Sequence, residues 1–455
     1  MLGTQADARV QQVPERRPVE ERDLRRRDRP VRGRGIRDPA LLGISRRARR
    51  GAFPSPGPHV PVDMSMNDRI YLDHAATSPL RAEARAAWED CAGAADYNPA
   101  SAHRFGRAAQ DVLESARAEI ATLLGVNRSE LVFTAGGTVS DNLAVLGFAR
   151  AHAGAQPRLV VSAIEHKAVL EAAKRASLDG AELVALPVDS AGVVDPAALD
   201  VALADAGGRP ALVSVMWANN EVGAVQPVAE LCRVAHERGA LFHTDAVQAF
   251  GKLPVSLADV PADLLTVTAH KIGGPVGVGA LVVRGNIPLE PLVYGGSQEG
   301  GRWPGTQNPC GASAFAAAAR AAVRELPEAG PRWSAMRDAL AAELRAGIDG
   351  LVVHAEDAPV RLPQLLSVGV PGVDAATLLM GLDLAGIAVS SGSACSSGSQ
   401  AGSHVLAAMG AAPAGDYAAV RFSFGPATAA EQVRRAGQAT VRAAARARAA
   451  LAGPV

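Results

Sequence analysis

The chain has 455 residues, 48% of them hydrophobic and 4% aromatic, and its 46 basic side chains balance its 46 acidic ones. That length suits two or three domains of roughly 100–200 residues each, and the lack of an apolar run of about 18 residues argues against a membrane span. Residues 1–50 hold 15 Arg against 7 acids, about +8, so the remainder carries about −8, which argues against a nucleic-acid-binding face on the main body.

Residues 1–65 are an Arg/Pro-rich extension without strand or helix periodicity, and 53–61 alone reads Phe-Pro-Ser-Pro-Gly-Pro-His-Val-Pro. Such a segment cannot bury a core. It is read either as a disordered arm or as sequence that is not translated, with the start at Met64 or Met66; a nucleic-acid-binding arm is a third reading. Order is expected from Arg69-Ile70-Tyr71-Leu72-Asp73, a short strand, and then helices over 82–93 and 108–124, the second ended by Gly125.

Strands and helices then alternate. Strands are expected at 131–134, 159–162, 183–186, 211–216, 240–243, 264–268 and 280–283, with helices at 140–151, 166–178, 196–206 and 228–238 between them. That alternation predicts an α/β fold with a mainly parallel, seven-stranded sheet covered on both faces. A glycine-rich loop follows over 294–308, then helices at 311–325 and 332–347, strands near 351–354 and 364–370, a helix at 374–385, a strand at 387–389, and a final helix to about 450. We expect a large domain over 80–328 and a smaller α+β domain made of 66–79 and 329–455.

Several strands end in chemistry. Lys271, in Thr268-Ala269-His270-Lys271-Ile272-Gly273-Gly274, lies just past a strand and is one of only four lysines, with Lys167, Lys174 and Lys252. Its amine is placed to form a Schiff base with an aldehyde cofactor such as pyridoxal phosphate, or else is a surface lysine in a turn. Gly137-Thr138 opens a helix after another strand and could hold a phosphate on its free N–H groups. Asp245 ends a strand and could pair with a protonated pyridine nitrogen, or cap a helix. His166 and Asn220 also follow strands. In open parallel sheets ligands sit outside the carboxyl ends of the strands, and five such groups would converge there.

A second constellation is Ser390-Ser391-Gly392-Ser393-Ala394-Cys395-Ser396-Ser397-Gly398-Ser399. A cysteine inside a Gly/Ser run reads as exposed and mobile, either in a plain linker or on a loop that carries a nucleophile. Cys91, Cys232 and Cys310 read as packing residues. With no C-x-x-C pair, the four cysteines fit a reducing, cytoplasmic location and argue against a disulfide framework or a structural zinc site.

Together these stretches resemble the cysteine desulfurase family of NifS/IscS type, a class V aminotransferase group of pyridoxal-phosphate fold type I. The resemblance rests on Tyr71 to Thr77, Asn98 to Ser101, Thr138 to Asn142, Glu165 to Val169, Asn219 to Gly223, His243 to Gln248, His270-Lys271, Pro304-Gly305-Thr306, Ser390 to Cys395 and Arg421-Phe422-Ser423, and covers about residues 69–430. It implies pyridoxal 5′-phosphate as cofactor, Lys271 as the Schiff-base lysine, Asp245 on the ring nitrogen, Gln248 on the ring hydroxyl oxygen and His166 stacked on the ring, moving protons. It places Gly137, Thr138, Thr268 and His270 on the phosphate, and Thr306 on the phosphate of the neighbouring subunit of a homodimer. Asn220 and Arg421 would bind the carboxylate of L-cysteine, and Cys395 would receive its sulfur as a persulfide, leaving L-alanine.

The implied sulfur acceptors are an iron–sulfur scaffold protein or a tRNA- or cofactor-thiolation enzyme. No resident metal, direct nucleic-acid contact or membrane contact is implied, although Cys395 could transiently touch an iron–sulfur cluster in a partner complex. A selenocysteine lyase or another enzyme of the same fold is the alternative, and a non-catalytic scaffold a more distant one. Val139, Trp303, Gly273 and Val276 depart from the common family pattern.

Overall fold

The computed structural model describes residues 69–204, 207–391, 402–411 and 417–452, all within the compact unit Val62–Val455. The Arg/Pro-rich extension and Cys395 lie outside the described residues. In chain order the elements are β1 (Ile70–Tyr71), α1 (Ala82–Ala94), α2 (Arg104–Leu124), β2 (Leu131–Thr134), α3 (Gly137–Ala151), β3 (Arg158–Ser162), α4 (Lys167–Leu178), β4 (Glu182–Leu186), α5 (Pro196–Ala204), β5 (Ala211–Ser214), α6 (Val228–Glu237), β6 (Leu241–Asp245), β7 (Leu264–Thr268) and β8 (Gly279–Val283). Then come α7 (Pro309–Gly347), β9 (Val352–Val353), β10 (Leu365–Pro371), α8 (Ala375–Leu384), β11 (Ile387–Ala388), α9 (His404–Ala408), β12 (Tyr417–Ser423) and α10 (Ala430–Ala452).

β2 to β8 form one seven-stranded sheet in the order β2-β8-β7-β6-β5-β3-β4. The sheet is parallel except at β8, which runs antiparallel to both β2 and β7. The expected mainly parallel α/β sheet is therefore present. Its inner strands are buried along nearly their whole length because helices cover both faces, with polar residues gathered toward the carboxyl ends of β6 and β7. Successive residues serve opposite cores: Val160, Val213 and Val267 face one, and Leu159, Leu212 and Leu264 the other. β2 and β7 both oppose β8, so β2, β3, β5, β6 and β7 bring their carboxyl ends to one sheet edge.

A separate core away from the large sheet gathers Ile70 and Leu72 with Trp333, Leu340, Val368 and Phe422. Its antiparallel sheet has the order β12-β10-β9, and β1 pairs in parallel with β11.

Three expectations need correction. The helices expected at 311–325 and 332–347 are one helix, α7, which runs through Pro327 and Pro331. A helix-internal proline removes one ladder donor and strains the preceding turn. Here burial on both sides of the prolines offsets that: Phe315 and Ala318 sit in a core of the large sheet, Trp333 and Leu340 in the separate core.

α2 begins at Arg104 rather than Ala108, because the His103 ring accepts from Gly106 N at 3.2 Å and caps the helix early. Finally, Cys91 and Cys310 form a disulfide, against the expectation that neither cysteine would. α1 packs on the start of α7 and brings their Cα atoms to 5.2 Å, inside the range a disulfide needs, across a sequence separation of 219 residues.

Candidate active site

A cavity of about 390 Å³ opens at the sheet edge where the five strands end. Ten of the expected site residues line it: Gly137 and Thr138 after β2, His166 after β3, Asn220 after β5, Asp245 and Gln248 at the end of β6, Thr268, His270 and Lys271 at the end of β7, and Arg421 from β12. Thr306 is not among them. It lines a neighbouring cleft of about 160 Å³ that shares only Ala135 and Gly277 with the cavity wall. Cys395, as the chain's expected sulfur acceptor, lies outside the described residues.

At one end of the cavity α3 starts on Gly136, whose φ of 131° is a conformation that favours glycine. No side chain caps this helix, so its first-turn N–H groups and positive dipole end face the cavity. Thr268 and His270 stand beside it. The His270 ring exchanges a hydrogen bond with Thr77 Oγ1 at 3.0 Å, and burial together with Lys271 and Lys252 pushes its pKa down to about 4, so it is neutral at pH 7.

Lys271 sits on a single helical turn, His270–Ile272, closed by Gly273 in the left-handed region at φ 83°. A Cβ at position 273 would come within 2.6 Å of Arg81 Cγ and 3.1 Å of the Pro79 carbonyl oxygen, so the glycine that departs from the family pattern suits the backbone here. Lys271 Nζ donates to the Ala75 and Ala76 carbonyls at 2.8 and 2.6 Å. Lys252, by contrast, is buried and does not line the cavity. Of the other departures, Val139 lines the wall, Val276 is an exposed residue at its rim, and Trp303 packs half-buried on the sheet core.

The acids lie deeper. Asp245 accepts from Val247 N at 2.8 Å. Burial pushes its carboxyl up, opposed by that N–H and by Lys271 and Lys252. Asp141 also lines the cavity, buried, with Oδ1 lacking any hydrogen-bond partner, and burial plus the Asp245 charge hold its pKa well above the usual carboxylate range. Glu165 is pushed to about 8 by burial, although its Oε1 accepts from Ser162 Oγ and Met216 N. His166 caps α4 by accepting from Ala168 N on Nδ1, which leaves the proton of the neutral ring on Nε2. Burial, then the Lys271 and His404 charges, lower its pKa.

Arg421 is 2% exposed. Its Nη1 donates to the Asn220 carbonyl at 2.8 Å and its Nη2 to Asp73 Oδ1 at 2.8 Å. Asn219 makes the preceding turn: its Oδ1 accepts from Glu221 N and Val222 N, so Asn220 is left to the cavity.

Sequence reasoning assigned no role to Asp73, Asp141, Lys252, Glu299 or His404. Asp73 and Asp141 stood inside quoted motifs without a role. His404 reaches the wall from α9, a five-residue helix too short to show periodicity, tied down by Nε2 donating to Glu165 O at 3.0 Å and by Ser403 Oγ donating to Glu221 Oε2 at 2.6 Å. Glu299, on the 294–308 loop, accepts both Arg117 Nη atoms at 2.7 and 2.8 Å and Phe133 N at 2.9 Å. It pins the loop that carries Thr306 to β2.

The Aminotransferase class-V family model matches residues 70–436. The chain is 40% identical over 370 residues to the putative cysteine desulfurase IscS 1 of Bacillus subtilis (strain 168), covering 81% of this chain and 97% of that protein. It is 42% identical over 362 residues to the IscS-like cysteine desulfurase of Mycobacterium tuberculosis (strain ATCC 25618 / H37Rv), covering 78% and 91%. Among solved structures, a NifS-like protein superimposes with a TM-score of 0.76 at 34% identity, covering 82% of this chain and 98% of that one. SspA in complex with cysteine gives 0.68 at 29% identity, covering 79% and 100%.

Proposed function

The chain belongs to the class-V aminotransferase family and, within it, to the cysteine desulfurases, and from that premise we propose how its own residues carry the reaction. It is an enzyme that removes sulfur from L-cysteine and leaves L-alanine. The observation that carries the residue assignment is the convergence of Lys271, Asp245, His166 and Arg421, from four separate segments, on one cavity.

The residues present fit pyridoxal 5′-phosphate. An uncapped helix N-terminus suits a phosphate, the buried Asp245 carboxyl suits a ring N–H, and a lysine amine borders the same cavity. When bound, the cofactor supplies an aldehyde for Lys271 and an electron sink for the substrate α-carbon. The first turn of α3, with Thr138, Thr268 and His270, would hold the phosphate; Asp245 would hold the ring nitrogen, Gln248 would donate to the ring hydroxyl oxygen, and His166 would stack on the ring.

Arg421 receives the carboxylate of L-cysteine, helped by Asn220, because its planar fork matches two carboxylate oxygens. Lys271 would take the α-proton, and His166 is the second group that can move a proton at that carbon. Cys395 attacks the substrate sulfur as a thiolate. The S–S bond forms as the C–S bond breaks, and the electron pair of the C–S bond stays with the carbon fragment, which is protonated to L-alanine. The sulfur leaves with Cys395 as a persulfide and passes to an acceptor thiol. Thr306 completes the phosphate site of a second subunit, so the working form is a homodimer, and the enzyme works in the cytoplasm. Its acceptor is an iron–sulfur scaffold protein or a thiolation enzyme.

A single-turnover measurement tests this. Without added reductant, one equivalent of L-cysteine per subunit should release up to one alanine and leave one extra sulfur on Cys395, read by alkylation and mass spectrometry. Cys395→Ser should keep the cofactor and release no such burst. An equal burst from that variant would remove Cys395 from the mechanism.

A further inference from the structure

Gln248 sits between two partners whose hydrogen-bonding sense is fixed. Its Nε2 donates to the Ala75 carbonyl at 2.9 Å, and its Oε1 accepts from Lys252 Nζ at 3.2 Å. A carbonyl only accepts and an ammonium only donates, so these partners permit one orientation of the amide. Flipped by 180°, the same amide would set its oxygen against the Ala75 oxygen and its N–H bonds against the Lys252 ammonium. Gln248 also lines the cavity, and an amide nitrogen carries a second N–H beyond the one given to Ala75.

We propose that Lys252 is a positioning residue that locks the Gln248 amide so that an N–H, not the carbonyl oxygen, is presented to the ring hydroxyl oxygen of the cofactor. This inference rests on the cofactor reading above. A ring oxygen that carries negative charge needs a donor, and an amide free to flip would spend part of its time offering it a lone pair instead.

Three features support the assignment. Lys252 is 5% exposed and does not line the cavity, so it is not positioned to touch the cofactor itself. A buried amine is costly unless hydrogen-bonded, and Gln248 Oε1 is its hydrogen-bond acceptor. Burial, with the Lys271 and Arg421 charges, lowers the Lys252 pKa to about 7; the ammonium only donates and so enforces the orientation, whereas the neutral amine can also accept and leaves the Ala75 carbonyl to hold it alone. The Ala75 carbonyl also accepts from Lys271 Nζ at 2.8 Å, so Lys252, Gln248, Ala75 and Lys271 form one connected chain of contacts.

The test is a double-mutant cycle on the holoenzyme, reading cofactor dissociation by fluorescence and the position of the visible absorbance band. Lys252→Met should weaken cofactor retention roughly tenfold, the scale of one hydrogen bond to a charged group, and shift the band. Gln248→Ala should do at least as much, and Lys252→Met added to it should cost nothing further. Gln248→Glu, which keeps a partner for Lys252 but offers the ring only acceptors, should be as impaired as Gln248→Ala. Equal penalties from Lys252→Met in both backgrounds, or none in either, would overturn the proposal, as would full retention in Gln248→Glu. A wild-type protein with no visible band after loading would instead remove the cofactor reading, and this inference with it.

Discussion

Arg421 and Asp73 form an ion pair at 2.8 Å although they stand 348 residues apart, one on β12 and the other just after β1. The Asp73–Ser423 bridge between their strand segments sets that distance. Asp73 on Nη2 and the Asn220 carbonyl on Nη1 therefore hold the plane of the Arg421 guanidinium at the cavity wall, where the proposed function places the substrate carboxylate. Arg421→Lys should raise KM for L-cysteine and lower kcat/KM by roughly 10- to 100-fold, the value of about 1.5–3 kcal/mol for hydrogen bonds to a charged group. Asp73→Asn keeps a hydrogen-bond acceptor and should cost less. Steady-state kinetics check both; an unchanged KM in Arg421→Lys would take the carboxylate away from this residue.

His243 and Glu165 should pull stability in opposite directions with pH. His243 is fully buried and its pKa falls to about 3 through desolvation, while its ring contacts Ser214 Oγ at 2.8 Å and Thr266 Oγ1 at 3.1 Å. The folded state then binds a proton less readily than the unfolded chain, so His243 removes stability as pH falls below about 6.5, on the order of 3 kcal/mol by pH 4. Glu165, raised to about 8, acts oppositely. The folded state holds its proton more tightly than the unfolded chain, so that contribution is present at low pH and is lost as pH rises from about 4.5 to 8. Denaturant unfolding of His243→Gln and Glu165→Gln against pH should flatten the acid and the alkaline slope respectively. Slopes identical to wild type would contradict these assignments.

Glu299 should be a stability residue as well as a loop anchor. Its carboxylate is 1% exposed and pairs with Arg117, whose guanidinium also lies 4.8 Å over the Phe133 ring. Glu299→Ala would leave the buried Arg117 charge without that partner and should cost about 3–5 kcal/mol. Arg117→Met in the same chain should recover part of the loss, because two apolar side chains can replace a buried pair at little cost. Chemical denaturation of the two single variants and the double variant measures this; additive penalties would mean that the residues do not act as a pair.

The Cys91–Cys310 disulfide fixes a thiol count. Denatured without reductant, the protein should alkylate at Cys232 and Cys395 only, and after reduction at all four cysteines. Four alkylations without reductant would mean that the two sulfurs stand as thiols in the protein as purified. Cys232 itself should react slowly in the folded protein, since burial raises its thiol pKa to about 12.

What was legible in the sequence follows physical range. The sheet could be read because each strand is a local apolar run and each ends in a turn with its own chemistry, as with Val267-Thr268 before Lys271 and Phe133-Thr134 before Gly137. Local pattern also singled out Gly137, Thr138, His166, Asn220, Asp245 and Lys271, while Gln248, Thr268, His270 and Arg421 came from the family resemblance. It failed where the determinant is distant. Cys91 meets Cys310 only because α1 packs on α7, and no spacing encodes that. Asp73 gains its role from β12, and Lys252 from an amide four residues away whose orientation is set by Ala75. The break expected around Pro327 and Pro331 failed for the opposite reason: the local signal was strong, but two cores overruled it.

The central claim is that this cavity desulfurates L-cysteine, and product analysis tests it most directly. The purified, cofactor-loaded protein would be given L-cysteine with dithiothreitol, and alanine, sulfide, pyruvate and ammonia would be measured together. Alanine and sulfide in equal amounts, lost in Lys271→Ala, are the result expected. Pyruvate and ammonia in their place, or turnover that survives Lys271→Ala, would contradict the account.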